Sequence, residues 1–441
     1  MDAFTIHGGA PLSGRVRVNG SKNAALPILA AALLTDEPVT IRDVPRLADI
    51  SNMLRLLERL GCTIDEHESN GMRGLTIDVE DESDNTAPYD VVRTMRASVC
   101  VLGPLLARRG MARVSLPGGC AIGDRPIDLH LRGLEALGAR ITLEGGDVVA
   151  RTPPTGRLIG KRLFLGGANG PTVLGTANIM CAATLAKGTT IIEGAACEPE
   201  VVDLAKLLNA MGAQVMGAGT PRITVEGVER LHGATHTVIP DRIEAGTFLI
   251  AAGITNGKVT LENCPSDALV ATLDQLERVG VHVMALPGRT EDPMRETVEV
   301  QCERRLKPTI VTTQPHPGFP TDLQAQMMAL LCVADGNSVI TERIFEQRFL
   351  HVAELGRMGA NLFHQGPTVV VSGVRELIGA PVMASDLRAS ACLIIAGLAA
   401  RGQTTVRRVY HLDRGYESME KRLNSLGALI ERVDEKQLVE I

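Results

Sequence analysis

Between Pro117 and Pro126 the chain reads PGGCAIGDRP, and Cys120 stands among glycines rather than among bulky apolar neighbours. Glycines at this density suit positive backbone dihedrals and close backbone approach, so the thiol is expected on a loop. Asp124 and Arg125 follow within five residues. Nearby positive charge lowers a thiol's pKa and favours the thiolate, which makes Cys120 a candidate nucleophile or a proton donor poised near neutrality. A redox role would normally bring a resolving cysteine, and none is close in sequence. A Cys-His hydrolase needs a paired base, which the sequence alone does not place.

Other chemistry-bearing residues fall at two kinds of position. Lys22 with Asn23, Arg96, Glu244 after Asp241, Asp322, and Asp386 with Arg388 open helices that are otherwise apolar. Cys120, Asp124 and Arg125, then Glu198 and Glu200, Arg348, and Asp413 with Arg414 lie where a strand passes into an amphipathic helix. Helix N-termini carry unpaired N–H groups and the positive end of a dipole, so Lys22, Arg96, Arg125, Arg388 and Arg414 near them make a site for an anionic, phosphorylated substrate. Any one of these arginines reads more readily as half of a structural ion pair; their recurrence across the repeats shifts the set toward function, not each member. Asp322, in PTDLQ, reads equally as a helix cap. His130, His316, His351 and His411 are scattered, and none is assigned a catalytic role. From the residues alone the chemistry is group transfer or a lyase reaction on an anionic substrate.

The elements that must position these groups recur six times. Amphipathic helices end in LERLGCTI, LEALGARI, LNAMGAQV, LERVGVHV, LGRMGANL and LNSLGALI, with glycines at 61, 138, 212, 280, 359 and 427. Each is expected to stop at its glycine and turn into a strand. In the first, Ile50, Met53, Leu54, Leu57 and Leu60 follow helical spacing and should bury one stripe. Each is preceded by a helix that is apolar nearly all round, from SKNAALPILAAALL to SDLRASACLIIAGLAA, and is therefore expected inside the fold. Short strands such as VTIRDV, KVTLENC and SVITERIF lie between the two helices. The pattern predicts an α/β fold with helix-covered sheets, and six units of 70 to 80 residues assemble best as two similar lobes of three.

Composition bounds the function classes. A chain of 441 residues that is 45% hydrophobic can bury large cores, and two domains are expected. A net charge of −6 and only ten aromatic residues argue against a nucleic-acid binder. The beginning, MDAFTIHGGAPLSGRV, lacks a basic segment followed by an apolar one, and apolar runs stay near ten residues, so neither a signal peptide nor a membrane span is expected. Nine scattered cysteines without a CxxC pair or zinc-ligand spacing suit a reducing cytoplasm. Those in ASVCVLG, IMCAATLA, ALLCVAD and SACLIIAG are expected to be buried as small hydrophobes.

Nine motifs then stand in order along essentially the whole chain: SKNAALPIL, TMRAS, SLPGGCAIGDRPIDLH, EPEVVDLA, DRIEAGTF, PHPGFPTDLQAQ, FEQRFLHVAEL, ASDLRAS and YHLDRGYE. Together they resemble the UDP-N-acetylglucosamine enolpyruvyl transferases. The resemblance implies two lobes, each an inside-out α/β barrel of three βαβαββ-like repeats with buried helices, one lobe of residues 22–238 carrying the Cys120 loop and the other of residues 1–21 plus 239–441. It implies transfer of the enolpyruvyl group of phosphoenolpyruvate to the sugar 3′-hydroxyl with loss of phosphate, in peptidoglycan synthesis in the cytoplasm. Cys120 matches a mobile-loop cysteine that protonates the methylene carbon, and Asp322 the proposed base for the hydroxyl. Lys22, Arg125 and Arg414 match cations that hold phosphate and carboxylate, with Asn23, Arg96, Asp386 and Arg388 beside them. The run Arg125, Pro126, Ile127, Asp128, Leu129, together with Ile344 and Phe345, matches contacts to the nucleotide. Neither cofactor nor metal is implied, and the partners expected are the two small substrates, with no nucleic acid and no membrane.

One stretch departs from the resemblance. Where the family carries a lysine, Gly170 to Gly175 reads GPTVLG and has none, so Thr172 and Val173 are the residues left to bond the diphosphate. The related transferase acting on shikimate 3-phosphate lacks the loop cysteine, so Cys120 counts against that acceptor. A UDP-sugar sensor without turnover is the remaining alternative, and the intact set of Lys22, Cys120, Arg125, Asp322 and Arg414 counts against it.

Overall fold

The structure is a computed structural model that describes residues 2–69, 71–116, 127–168, 170–287, 292–302 and 305–437. The first repeat shows how the pattern folds. Ser21 caps the helix Lys22–Ala31, its Oγ accepting from the Ala24 N–H at 3.3 Å. With apolar residues on all sides, every residue of that helix except Asn23 is buried. The strand Val39–Arg42 follows, then the helix Ala48–Arg59. Its buried stripe is Ile50, Met53, Leu56 and Leu57, with Leu60 just beyond, while Leu54 is only half-buried. The expected stripe therefore differs by one member, because Leu56 and Leu57 together widen the buried face toward the side opposite Leu54.

Gly61 ends this helix at φ +86°, and an added Cβ there would lie 1.9 Å from the Asp81 carbonyl oxygen, so both dihedral and space demand glycine. The other five expected stops, at 138, 212, 280, 359 and 427, also have positive φ. The strands Cys62–Ser69 and Met72–Val79 then complete the repeat.

Among the described residues there are six four-stranded sheets of one design. In the first, Thr235–Thr237 pairs parallel with Val39–Arg42, which pairs antiparallel with Met72–Val79, which pairs antiparallel with Cys62–Ser69. The other five repeat that order of one parallel and two antiparallel ladders. Two sheets borrow strands from the beginning of the chain. Asp2–His7 lies between Gln403–Arg407 and Leu429–Asp434, and Ser13–Arg17 pairs parallel with Lys258–Cys264.

The described residues from Gly20 to Ile239 form one compact unit; those up to Asn19 and from Pro240 onward form a second. In the first, the helix Val173–Thr184 packs on Leu102–Arg109 and on Lys22–Ala31. In the second, Arg242–Ile254, Gln324–Leu331 and Leu387–Ala399 pack on one another, and Arg388 to Leu398 are all buried. Each fully buried Leu or Ile in these helices contributes about 1.5–3 kcal/mol of burial, which fixes the helix starts where the polar residues sit. Cys100, Cys181, Cys332 and Cys392 are buried, and burial pushes the Cys100 and Cys332 thiols up to about 12. No described helix is long and apolar enough to cross a membrane.

Candidate active site

In the unit that includes residues 240–437, Asp322 lies in the short 3-10 turn Thr321–Leu323 ahead of the helix Gln324–Leu331. Its side chain makes no capping bond; instead it is clasped by two guanidinium groups. Arg348 Nη1 donates to Oδ1 at 2.7 Å and Arg388 Nη2 to Oδ2 at 2.9 Å. The arginine side chains are 7% and 4% exposed, whereas the Asp322 side chain keeps 26% of its surface open. Burial by itself would raise this carboxyl, but the charges and hydrogen bonds of Arg388 and Arg348 prevail and hold it well below the usual carboxylate range. Asp322 is thus ionised at neutral pH, with one lone pair on each oxygen still directed away from its arginines. It can orient a hydroxyl by accepting its hydrogen bond. Taking the proton outright requires one arginine to loosen or the hydroxyl to acidify.

Arg388 is held from behind by Tyr416, whose hydroxyl accepts from Nη1 at 3.1 Å and whose ring lies under the guanidinium, 5.5 Å from its centroid. Thr247 spends its hydrogen on the Ile243 carbonyl at 2.7 Å, so Tyr416 donates to Thr247 across 2.8 Å. Gln326 Nε2 lies 3.2 Å from both hydroxyl oxygens and 2.9 Å from the Asp322 carbonyl. One polar network therefore joins three buried helices behind the carboxylate. Asp386 caps the third of them, its Oδ1 accepting from the N–H groups of Arg388 and Ala389 at 2.8 and 3.1 Å. Arg414 closes the 3-10 turn Val409–Arg414 and, after burial, is the charge that most lowers the pKa of His411.

In the unit of residues 20–239, Lys22 is buried at the first position of its helix, with Nζ 3.3 Å from Asp49 Oδ2. Asn23 follows, half-buried. Arg96 opens the turn Arg96–Val101; burial, with the Arg96 charge adding to it, pushes His130 down to about 3. Neutral His130 Nδ1 sits 2.8 Å from Asn178 Nδ2; Asn178 also donates to the Val99 carbonyl and accepts from the Gly103 N–H. Ile127 is buried before the helix Asp128–Ala136, where Asp128 is exposed and Leu129 half-buried. Thr172 caps the helix Val173–Thr184 by accepting from the Gly175 N–H at 3.2 Å, which leaves its hydroxyl hydrogen to donate. Cys120, Arg125 and Pro126 lie outside the described residues.

Direct contact thus joins Asp322 to Arg388, and the Asp386 cap lies two residues away on the same helix; Lys22 meets Asp49. Ile344 and Phe345 present their backbone N–H groups to Glu342. Sequence reasoning placed Arg348 at a strand-to-helix position without assigning it a role, although it shares that position with Arg125 and Arg414. It passed over Asp49, Glu342, Tyr416, Gln326 and Thr247, of which only Tyr416 stands in a quoted motif near a site arginine. Among the described residues no group of three or more His, Cys, Asp or Glu is placed to hold a metal ion.

The sequence matches the EPSP synthase (3-phosphoshikimate 1-carboxyvinyltransferase) family across residues 6–423, and the chain belongs to that family. It is 55% identical over 436 residues to a UDP-N-acetylglucosamine 1-carboxyvinyltransferase of Nitratidesulfovibrio vulgaris (Hildenborough), a match covering 98% of this chain and 99% of the relative. A protein of the same name from Magnetococcus marinus is 52% identical over 98% of this chain and 100% of its own. Among solved structures, the enolpyruvyl transferase NikO from Streptomyces tendae superposes with a TM-score of 0.86 at 26% identity, covering 98% of this chain and 99% of that one. An EPSP synthase from Acinetobacter baumannii shares the fold with a TM-score of 0.72 at 19% identity, covering 98% and 100%.

Proposed function

We propose that the protein transfers the enolpyruvyl group of phosphoenolpyruvate to the 3′-hydroxyl of UDP-N-acetylglucosamine with release of phosphate, the step that commits the sugar nucleotide to peptidoglycan. The observation that carries this reading is the Asp322 carboxylate clasped by Arg348 and Arg388, in a chain 55% identical almost end to end to a relative of that name. The acceptor named for the matching family is shikimate 3-phosphate, but the EPSP synthase structures stand at only 18–19% identity.

In the proposed reaction the sugar oxygen bonds to C2 of phosphoenolpyruvate while the Cys120 thiol gives a proton to C3. The hydroxyl proton passes to Asp322 as the forming bond acidifies it, which suits a carboxylate whose proton affinity is held low. The C2–O bond to phosphate then breaks, phosphate departs with the proton that Asp322 had taken, and C3 returns a proton to the thiolate to restore the double bond. Lys22, Arg125, Arg388 and Arg414 hold the phosphate and carboxylate, with Asn23 alongside. Asn23, Arg96, Arg125 to Leu129, Thr172, Val173, Ile344 and Phe345 receive the nucleotide-sugar, with Thr172 donating its hydroxyl hydrogen to the diphosphate.

The same reading extends to the architecture: two lobes of three repeats, each an inside-out α/β barrel, of residues 22–238 and of residues 1–21 with 239–441. Six sheets of one strand order and the buried apolar helices support it. A cytoplasmic setting, with two small substrates and neither nucleic acid nor membrane as partner, belongs to the same proposal. Phosphate release tests it, with UDP-N-acetylglucosamine and shikimate 3-phosphate as rival acceptors and Cys120→Ala as control. Release with the nucleotide-sugar alone, abolished in the variant, is expected. Release with shikimate 3-phosphate alone, or with neither acceptor, overturns it.

A further inference from the structure

Arg348 leans on a group that takes no part in the reaction as written. Glu342 follows the strand Asn337–Thr341, is fully buried, and makes no ion pair among the described residues. A buried carboxylate without a counter-charge is costly unless its oxygens are satisfied. Four neutral donors do this. Thr313 Oγ1 and the N–H groups of Ile344 and Phe345 donate to Oε1 at 2.8, 2.8 and 3.0 Å, and Thr321 Oγ1 donates to Oε2 at 2.9 Å.

The Thr321 bond fixes the polarity of what lies beyond it. A hydroxyl has one hydrogen, and with that hydrogen given to Glu342 the lone pairs of Thr321 are left for Arg348. Arg348 Nη1 donates to Thr321 Oγ1 at 3.0 Å and to Asp322 Oδ1 at 2.7 Å. On its other side the Arg348 guanidinium lies over the Phe345 ring, 5.8 Å from the centroid, and the backbone of Phe345 is itself tied to Glu342. Both supports of Arg348 therefore return to one buried anion.

We propose that Glu342 is a positioning residue: through Thr321 and through the Ile344–Phe345 turn, its carboxylate sets the Arg348 guanidinium against Asp322. The kinetic part rests on the reading of function above; the geometric part does not. The charges that act on Asp322 are Arg348 and Arg388, with Asp241 and Tyr416 acting on Arg388 from behind. A charge-neutral change at Thr321 leaves all of them in place.

The test compares Thr321→Val, which keeps the shape and removes the hydroxyl, with Thr321→Ser, which keeps the hydroxyl. One readout is kcat and KM for phosphate release. The other needs no substrate: the 13C NMR titration of the Asp322 carboxyl, assigned with Asp322→Asn. Thr321→Val is expected to lower kcat about tenfold or more, with KM for the nucleotide-sugar changed far less, and to move the Asp322 titration up toward the ordinary range. Thr321→Ser is expected to restore both. A Thr321→Val protein with an unmoved Asp322 titration overturns the proposal, as does a Thr321→Ser protein that behaves like it. Should Thr321→Val fail to fold, Glu342→Gln replaces it, since its amide hydrogens face donors and must disturb the same relay; unchanged kcat there is equally fatal. A wild-type protein that releases no phosphate refutes the reading of function, and the titration still decides the role of Glu342.

Discussion

Replacing Asp322 by asparagine removes one charge and leaves two guanidinium groups, 7% and 4% exposed, facing a neutral amide. Breaking a buried ion pair by removing one partner costs about 3–5 kcal/mol. Water reaches the 26% of Asp322 that is open and screens the pair, so the loss falls at or just below the lower end, and we expect Asp322→Asn to lose about 2–3 kcal/mol at pH 7.5. The pH dependence follows from the direction of the shift. The folded carboxyl is held well below its usual value, so its contribution is complete above the unfolded pKa of about 3.9 and is lost only as pH falls below that toward the folded value. The gap between wild type and variant should therefore be the same at pH 7.5 and pH 5. Urea unfolding followed by tyrosine absorbance suits the measurement, because Tyr416 is 2% exposed and belongs to the same network, while Tyr89 and Tyr410 are already 58% and 47% exposed. A gap that closes between pH 7.5 and pH 5 would mean that the arginines do not hold Asp322 down, and the account of the clasp would be wrong. In activity, kcat should fall by about two orders of magnitude or more, with the fold retained in water.

The two buried histidines give a second expectation. Burial lowers His130 to about 3, aided by Arg96, and His351 to about 4, with Asp386 opposing. Unfolded histidine titrates near about 6.5, so the unfolded chain binds extra protons below that pH and stability declines by up to ~1.4 kcal/mol per pH unit for each histidine. His351→Leu should remove one proton's worth of that decline between pH 6.5 and pH 4.5, as read from urea midpoints; an unaltered slope counts against a neutral buried imidazole. Thiol reactivity gives a third. In native Cys120→Ala at pH 8, dithionitrobenzoate should reach Cys197 and Cys302, which are half-buried, while Cys62, Cys100, Cys181, Cys264, Cys332 and Cys392 react only after unfolding. A third fast thiol would contradict the burial of these six side chains.

The repeats could be read directly because their signals are local. A glycine that stops a helix, and a helix apolar on every side, each announce themselves within a dozen residues, and Gly61 at φ +86° is one outcome. The clasp could not be read that way. Asp322, Arg348 and Arg388 come from separate segments up to 66 positions apart, and their pairing exists only once the turn Thr321–Leu323, the segment ahead of the helix Leu350–Arg357 and the helix Leu387–Ala399 have come together. Asp322 looked as much like a cap as like a site, and only its partners show that its side chain does not cap the helix. Glu342, in SVITERIF, has the appearance of a solvated strand end, yet it is wholly buried; nothing in that octet announces the four donors that converge on it.

The borrowed strands at the beginning of the chain bear on how the protein is made. Asp2–His7 finds its neighbours Gln403–Arg407 and Leu429–Asp434 only after nearly all of the polypeptide has been synthesised. By contrast, the unit from Gly20 to Ile239 has all its strands once Thr235–Thr237 has emerged from the ribosome. At about 5–20 residues per second, the N-terminal strand waits roughly 10–40 s after that point with its edges unpaired. The inner unit is thus able to fold on the ribosome while both flanks are still unpartnered. A stop placed just before Leu429 would remove one of the two neighbours of Asp2–His7, so a single sheet registers whether these two distant segments are both present.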